Sequence, residues 1–197
     1  DTLELRREHK YELYDLFIEI PEALIPRHLR LEVVERVAPS GAVDVALDEH
    51  GVIAAARELA GRGIEAVAIV FLHAYANPAH ERRARDLLGL HFPGLLVSIS
   101  SEVSPQIREY ERTSTTVANA YVRPMANRYL RTLETQLKGI GIGCPLLMML
   151  SNGGFTHAEE ACRFPVQLLE SGPAAGAIAA AYFSRQSGIA NVLAFDM

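Results

Sequence analysis

Four groups of residues have types and spacings suited to chemistry. Ser151-Asn152-Gly153-Gly154 closes the apolar run 146–150. The two glycines permit positive φ and close approach of backbone to a ligand, while Ser151 and Asn152 add side-chain hydrogen bonds. At the end of a strand that pattern suits a phosphate loop, and it equally suits an ordinary turn with a helix cap. In the second group, Ser171-Gly172-Pro173-Ala174-Ala175-Gly176, Pro173 fits the first turn of a helix with Ser171 or Gly172 as cap. The helix N-terminus can then receive an anion. Alternatively the stretch is a packing face, since Gly172, Gly176 and Ala180 align and let another helix approach closely. The third group, Arg108, Glu109, Arg112, Thr113 and Thr115, stands ahead of a long helical pattern. It suits a carboxylate or phosphate held at that helix start, or an exposed ion-pair network with a Ser/Thr cap. The fourth is Asp196, the acid that ends the apolar run 192–195.

Other chemistries find no pattern. His73, His80 and Glu81 invite a metal reading, but their spacing matches no HExxH arrangement. The chain has no G-x-S-x-G elbow, no P-loop lysine motif and no GxGxxG. No residue is an evident general base.

The elements that must position these groups read as alternating strands and helices. Residues 31–37 and 42–47 flank the turn Ala38-Pro39-Ser40-Gly41 as a hairpin. Asp48 caps a helix running to about Arg62, ended by Gly61 and Gly63. The continuous apolar run 66–72 reads as a strand covered on both faces, followed by a helix from Asn77 or Pro78 to about Leu90 and a strand at 95–100. A long helix spans about 115–138, with Val117, Tyr121, Met125, Tyr129, Leu133 and Leu137 every fourth residue and Pro124 as its irregularity. A buried strand at 145–150, a short helix at 157–163, a small-residue helix at 173–186 and a strand at 192–195 complete the pattern. The expected class is α/β, a mostly parallel sheet flanked by helices.

Composition sets outer bounds. The 197 residues suffice for one large or two small domains, and 49% of them are apolar. A net charge of −5 argues against nucleic acid or an anionic membrane as partner. Cys144 and Cys162 lack CxxC spacing and read as free, buried thiols of a reducing compartment, with the cytoplasm as default. No apolar stretch reaches the roughly 18 residues that span a bilayer.

The strings Ser98-Ile99-Ser100-Ser101-Glu102-Val103-Ser104-Pro105 and Arg108 through Tyr121, with Ser151–Gly154, Ser171–Gly176, Phe195-Asp196-Met197 and the 68–81 stretch AIVFLHAYANPAHE, resemble the hydantoinase A/oxoprolinase family. The likeness covers nearly the whole chain. It implies an actin-like (ribonuclease H-like) ATPase fold, in which two related domains close on a nucleotide. It implies a cytoplasmic ATP- and Mg2+-dependent enzyme that opens cyclic amides such as hydantoin or 5-oxoproline, or else a subunit of an acetone-type carboxylase. A non-catalytic interaction module is the reading from another class. The resemblance also implies a hydantoinase B-type partner and divides the chain into 1–112, the later part of an N-terminal region, and 113–197, the start of a core region. Residues 171–187 become an interdomain helix and 191–197 the first strand of a second domain, so the chain is expected to be a fragment, inactive alone. Ser151, Asn152, Gly153, Gly154 and Asp196 become nucleotide contacts, with Asp196 acting on magnesium. Arg108, Glu109, Arg112, Thr113 and Thr115 become cleft residues, and Asn119 supports them.

Overall fold

The computed structural model describes residues 2–7, 14–15, 17 and 21–195. Contacts divide the chain into two compact units, Asp1–Tyr121 and Val122–Met197.

In the first unit a short helix α1 (Thr2–Leu5) and a 3-10 turn (Arg27–Leu29) precede the hairpin of β1 (Arg36–Val37) and β2 (Val43–Val45). Gly41 makes its turn possible with φ +85°. Helix α2 (Glu49–Gly61) begins where the sequence places it: the Asp48 carboxylate accepts the Gly51 N–H at 3.0 Å. Strand β3 (Ala66–Ile69), helix α3 (Ala79–His91) and strand β4 (Leu96–Ile99) form a parallel β-α-β unit, with Ala66 opposite Leu96 and Ile69 opposite Ile99. Asn77 sets the start of α3. Its Oδ1 accepts the Ala79 N–H at 3.0 Å, while its Nδ2 donates to the Gly41 carbonyl at 2.8 Å, which ties the hairpin turn to the helix. The core is Val52 and Ala56 of α2, Ala84 and Leu88 of α3, and Ile69 and Ile99 of the strands. A single-turn helix α4 (Ser100–Val103) follows β4 directly.

Helix α5 (Glu109–Gly139) begins six residues earlier than its pattern suggests and continues through Pro124. Tyr121, Met125 and Tyr129 are exposed, whereas Val117, Ala120 and Leu130 are buried. A four-residue repeat gains about 40° on each step around a helix of 3.6 residues per turn, so the apparent stripe winds out of the packed face.

The second unit holds the hairpin of β5 (Leu147–Met149) and β6 (Phe155–His157), helix α6 (Ala158–Arg163), a 3-10 turn (Pro165–Leu168) and helix α7 (Ser171–Ser187), which ends at Gly188 in the left-handed region. Leu130, Ala161 and Cys162 form its core, with Met148 and Leu168 against them.

The class is α/β, but the expected mostly parallel sheet is corrected. The described strands form three two-stranded ladders, of which only β3–β4 is parallel. The run 145–150 turns straight back on itself instead of entering a crossover helix, because the Gly153–Gly154 turn supplies the reversal. Residues 191–195 carry no regular structure and expose Leu193 and Phe195. No neighbouring strand among the described residues takes up their backbone hydrogen bonds. Cys162 is buried as expected and Cys144 is exposed.

Candidate functional site

Two clusters contain nearly all the chemistry that the described residues hold. The first lies in unit 1 at the carboxyl ends of the parallel strands, where α/β sheets present ligand loops. Phe71, just past β3, is gripped on both sides. Its N–H donates to Glu81 at 2.9 Å, and its carbonyl accepts from Arg112 Nη2 at 3.0 Å. Both charged side chains are 0% exposed. Glu81 also accepts from the Ser100 hydroxyl at 2.6 Å and the Ser101 N–H at 2.8 Å, which welds the first turn of α3 to the start of α4. Arg112 reaches the Gln106 carbonyl at 2.9 Å, and its guanidinium stands 5.6 Å from the centre of the Tyr75 ring. Between these anchors the loop turns through His73 at φ +61°, with Tyr75 Oη 3.3 Å from His73 Nδ1.

Residues 109–116 are the first two turns of α5, with Arg108 just ahead of them. Arg112 is a brace under the 71–77 loop rather than an open anion hook. Arg108 is mostly exposed, 3.6 Å from Glu111, and Glu109 accepts from the Thr2 hydroxyl at 2.7 Å. The hydroxyls bond back along their own helix: Thr113 to the Glu109 carbonyl at 2.7 Å and Thr116 to the Arg112 carbonyl at 2.6 Å. Thr115 is half-buried beside them. A backbone N–H bond and the Arg7 and Arg108 guanidiniums hold the Glu111 carboxyl below the usual range. Asn119, wholly buried, donates to Ser98 Oγ at 3.0 Å. His80 is paired with Glu35 at 2.8 Å.

The second cluster, in unit 2, brings Ser151–Gly154 and the start of α7 together. The four residues are the turn of the β5–β6 hairpin. The Ser151 N–H and hydroxyl both donate to the Gln167 carbonyl at 2.7 Å, and the hydroxyl accepts the Glu170 N–H at 3.1 Å. Gly153 N–H bonds the Leu150 carbonyl at 2.9 Å and Gly154 N–H bonds Asn152 Oδ1 at 2.9 Å. Ser151 is thereby the pin between hairpin and helix. Helix α7 begins at Ser171 with Glu170 as its cap residue, so Ser171 and Gly172 lie in its first turn and do not cap it. Pro173 falls in that same turn, where its missing N–H costs nothing. At Gly176 an added Cβ would meet nothing within 4 Å among the described residues. Asp196 lies outside the described residues.

Among the described residues no three His, Cys, Asp or Glu side chains gather as metal ligands. With three of the four turn N–H groups already bonded within the chain, these residues do not by themselves fit a magnesium nucleotide. No helix of the described residues is long and apolar enough to cross a membrane.

Sequence reasoning overlooked Glu81 as a structural centre and Tyr75 altogether. The available signal was an acid in the first turn of a helix that follows a strand.

Comparison with known proteins decides the lineage. The model described as Hydantoinase/oxoprolinase N-terminal region matches residues 1–91, and that described as Hydantoinase/oxoprolinase matches residues 112–197. The chain belongs to the hydantoinase/oxoprolinase family. An uncharacterized protein of Methanocaldococcus jannaschii is 41% identical over 197 residues, covering 100% of this chain and 29% of its own length. Caprolactamase subunit alpha of Pseudomonas jessenii is 36% identical over 199 residues, again 100% of this chain and 29% of that one. The crystal structure of the ATP-dependent caprolactamase from that organism superposes with a TM-score of 0.81 at 34% identity, over 95% of this chain and 27% of that one. The nucleotide-free acetone carboxylase structure gives 0.75 at 29% identity, over 86% and 24%. The chain thus spans 29% of the length of these two relatives.

Proposed function

We propose that this chain is part of a cytoplasmic, ATP- and magnesium-dependent enzyme that opens a cyclic amide. The observation that carries the reading is the superposition of 95% of the chain on an ATP-dependent caprolactamase, an enzyme whose name specifies a lactam. A lactam or hydantoin carbonyl is a poor electrophile, and making its oxygen a leaving group is the chemistry that a phosphoryl donor supplies. The residues of this chain contribute position. Ser151 fixes the hairpin turn against α7, and Glu81 with Arg112 fixes the loop beyond β3.

In this reading the actin-like fold forms in the full-length protein. Ser151–Gly154, the Ser171–Gly176 start of α7 and Asp196 serve its nucleotide side, with α7 as the connection between domains. Arg108, Glu109, Thr113 and Thr115 face its cleft. A hydantoinase B-type subunit completes the hydrolytic step, in keeping with the "subunit alpha" of the caprolactamase relative. A second reading, an ATP-dependent ketone carboxylase subunit, is favoured by the likeness to acetone carboxylase.

The test is phosphate release by the full-length protein with its partner subunit and Mg-ATP, in parallel with caprolactam, hydantoin, 5-oxoproline, and acetone plus bicarbonate. Release stimulated by a cyclic amide supports the first reading, and release only with ketone plus bicarbonate supports the second. If no substrate stimulates release, both fail and the interaction-module reading gains.

A further inference from the structure

Among the described elements, helix α5 is the one that crosses the boundary between the two compact units, which falls between Tyr121 and Val122. Its two halves are fastened by different means. In the amino-terminal half Arg112, Thr116, Val117, Asn119 and Ala120 are all buried. Arg112 donates to the Gln106 and Phe71 carbonyls at 2.9 and 3.0 Å, and Asn119 donates to Ser98 Oγ at 3.0 Å. In the carboxyl-terminal half Leu130 enters the core with Ala161 and Cys162. Between these anchors the stretch 121–129 contains no buried residue, and Tyr121, Met125 and Tyr129 stand mostly in solvent.

That stretch also holds Pro124. Proline has no N–H, so the helical bond that residue 124 would give the Ala120 carbonyl is missing, and the ring crowds that carbonyl. Ala120 is the last buried residue before the stretch, so the gap in the ladder opens at the edge of the anchored half. Sharp bends in long helices fall at such positions. A segment with few buried contacts has little else to hold it straight. The unit boundary, the missing backbone bond and the absence of burial therefore coincide in one short stretch of helix.

We propose that residues 121–129 are a flexure within α5, hinged at Pro124, through which the two anchored halves of the helix take up more than one angle. Arg112 and Asn119 hold one half to its own unit and Leu130 holds the other, so the motion is confined to the stretch between them. An enzyme that makes an amide oxygen a leaving group gains from closing over it and excluding water. That use rests on the ATP-dependent reading. The flexure itself does not, and its test reads the helix alone.

The test is double electron–electron resonance between nitroxides at Ser114→Cys and Thr135→Cys in the intact chain, with Cys144→Ser removing the exposed thiol. Along a straight helix these positions lie about 32 Å apart. With Pro124 in place the distance distribution is expected to be broad or two-component, and Pro124→Ala should narrow it to a single distance near the straight-helix value. Hydrogen exchange read by mass spectrometry should find 121–129 faster than 112–120. Pro124→Ala should slow exchange in 121–129 about a hundredfold, the scale of a proline's cost inside a helix. A single narrow distance with Pro124 in place, straight or kinked, would show a fixed helix and overturn the proposal. So would a breadth that Pro124→Ala leaves unchanged, or exchange as slow at 121–129 as at 112–120.

Discussion

Glu81 accepts three hydrogen bonds without access to water, and the cost of losing it follows from its partners. Glu81→Ala leaves two backbone N–H groups and a hydroxyl unpaired, so urea unfolding should show a loss of about 3 kcal/mol or more. Glu81→Gln keeps one acceptor but turns an N–H toward a donor, and should fall between. Surface pairs behave differently. Arg83 hydrogen bonds hold the Glu49 carboxyl below its usual range, so this pair adds stability above the ordinary carboxylate pKa and loses it as pH falls through the lowered value. Because both partners are exposed, Glu49→Gln should only slightly flatten the acid limb of the stability–pH curve. Burial raises the Cys162 thiol above its usual range, which favours the neutral form in the fold. The stability tied to that thiol is complete at neutral pH and is lost as pH rises through the raised value. Cys144 is exposed, so a maleimide should modify it rapidly in native protein and reach Cys162 only on unfolding.

At the scale of elements, two glycines of the small-residue segments predict opposite outcomes. Gly153 sits at φ +85°, and a Cβ there would lie 2.5 Å from Ile178 Cδ1. The Ile178 side chain can swing away, but the backbone cannot, so Gly153→Ala should cost about 1–2 kcal/mol in thermal or urea unfolding. Gly176 lies within α7 with open space around it, and Gly176→Ala should stabilise this chain by about 1 kcal/mol. A loss instead would reveal a close helix contact at that face, the packing that the sequence suggests. Elements with strong local signals were legible from sequence. Asp48 announced α2, Asn77 announced α3, and the unbroken apolar run announced β3. Elements fixed by tertiary pairing were not. Phe155-Thr156-His157 is too short to signal a strand and exists because β5 lies beside it. The early start of α5 was hidden because Arg112, Thr113 and Thr116 read as cap and charge cluster, whereas folding buries Arg112 and turns both hydroxyls back along the helix. Of the candidate site, the residues of the turn were visible and their engagement was not, because hydrogen bonds from Ser151 to Gln167 and Glu170 span 16 and 19 positions.

For the molecule as a whole, burial is unevenly spread. Helices α2 and α3 bury one face each, while α7 has no buried residue and exposes Tyr182 and Phe183. Hydrogen exchange should therefore rank α2 and α3 as slow and α7 as fast, and uniform protection would contradict this reading. With the turn donors occupied internally, the 197-residue chain alone should not hydrolyse ATP. Calorimetry against Mg-ADP should show no micromolar site.

The grip on Phe71 also bears on how the chain is divided into parts. Arg112 is the first residue of one family match, yet the carbonyl and the ring it serves belong to the other. A cut in the interval between the two matches would leave the amino-terminal piece without its buried cation and release the loop it braces. The compact unit ends instead at Tyr121, so the productive place to sever this protein is partway along a continuous helix, with the first three turns of α5 kept on the amino-terminal side.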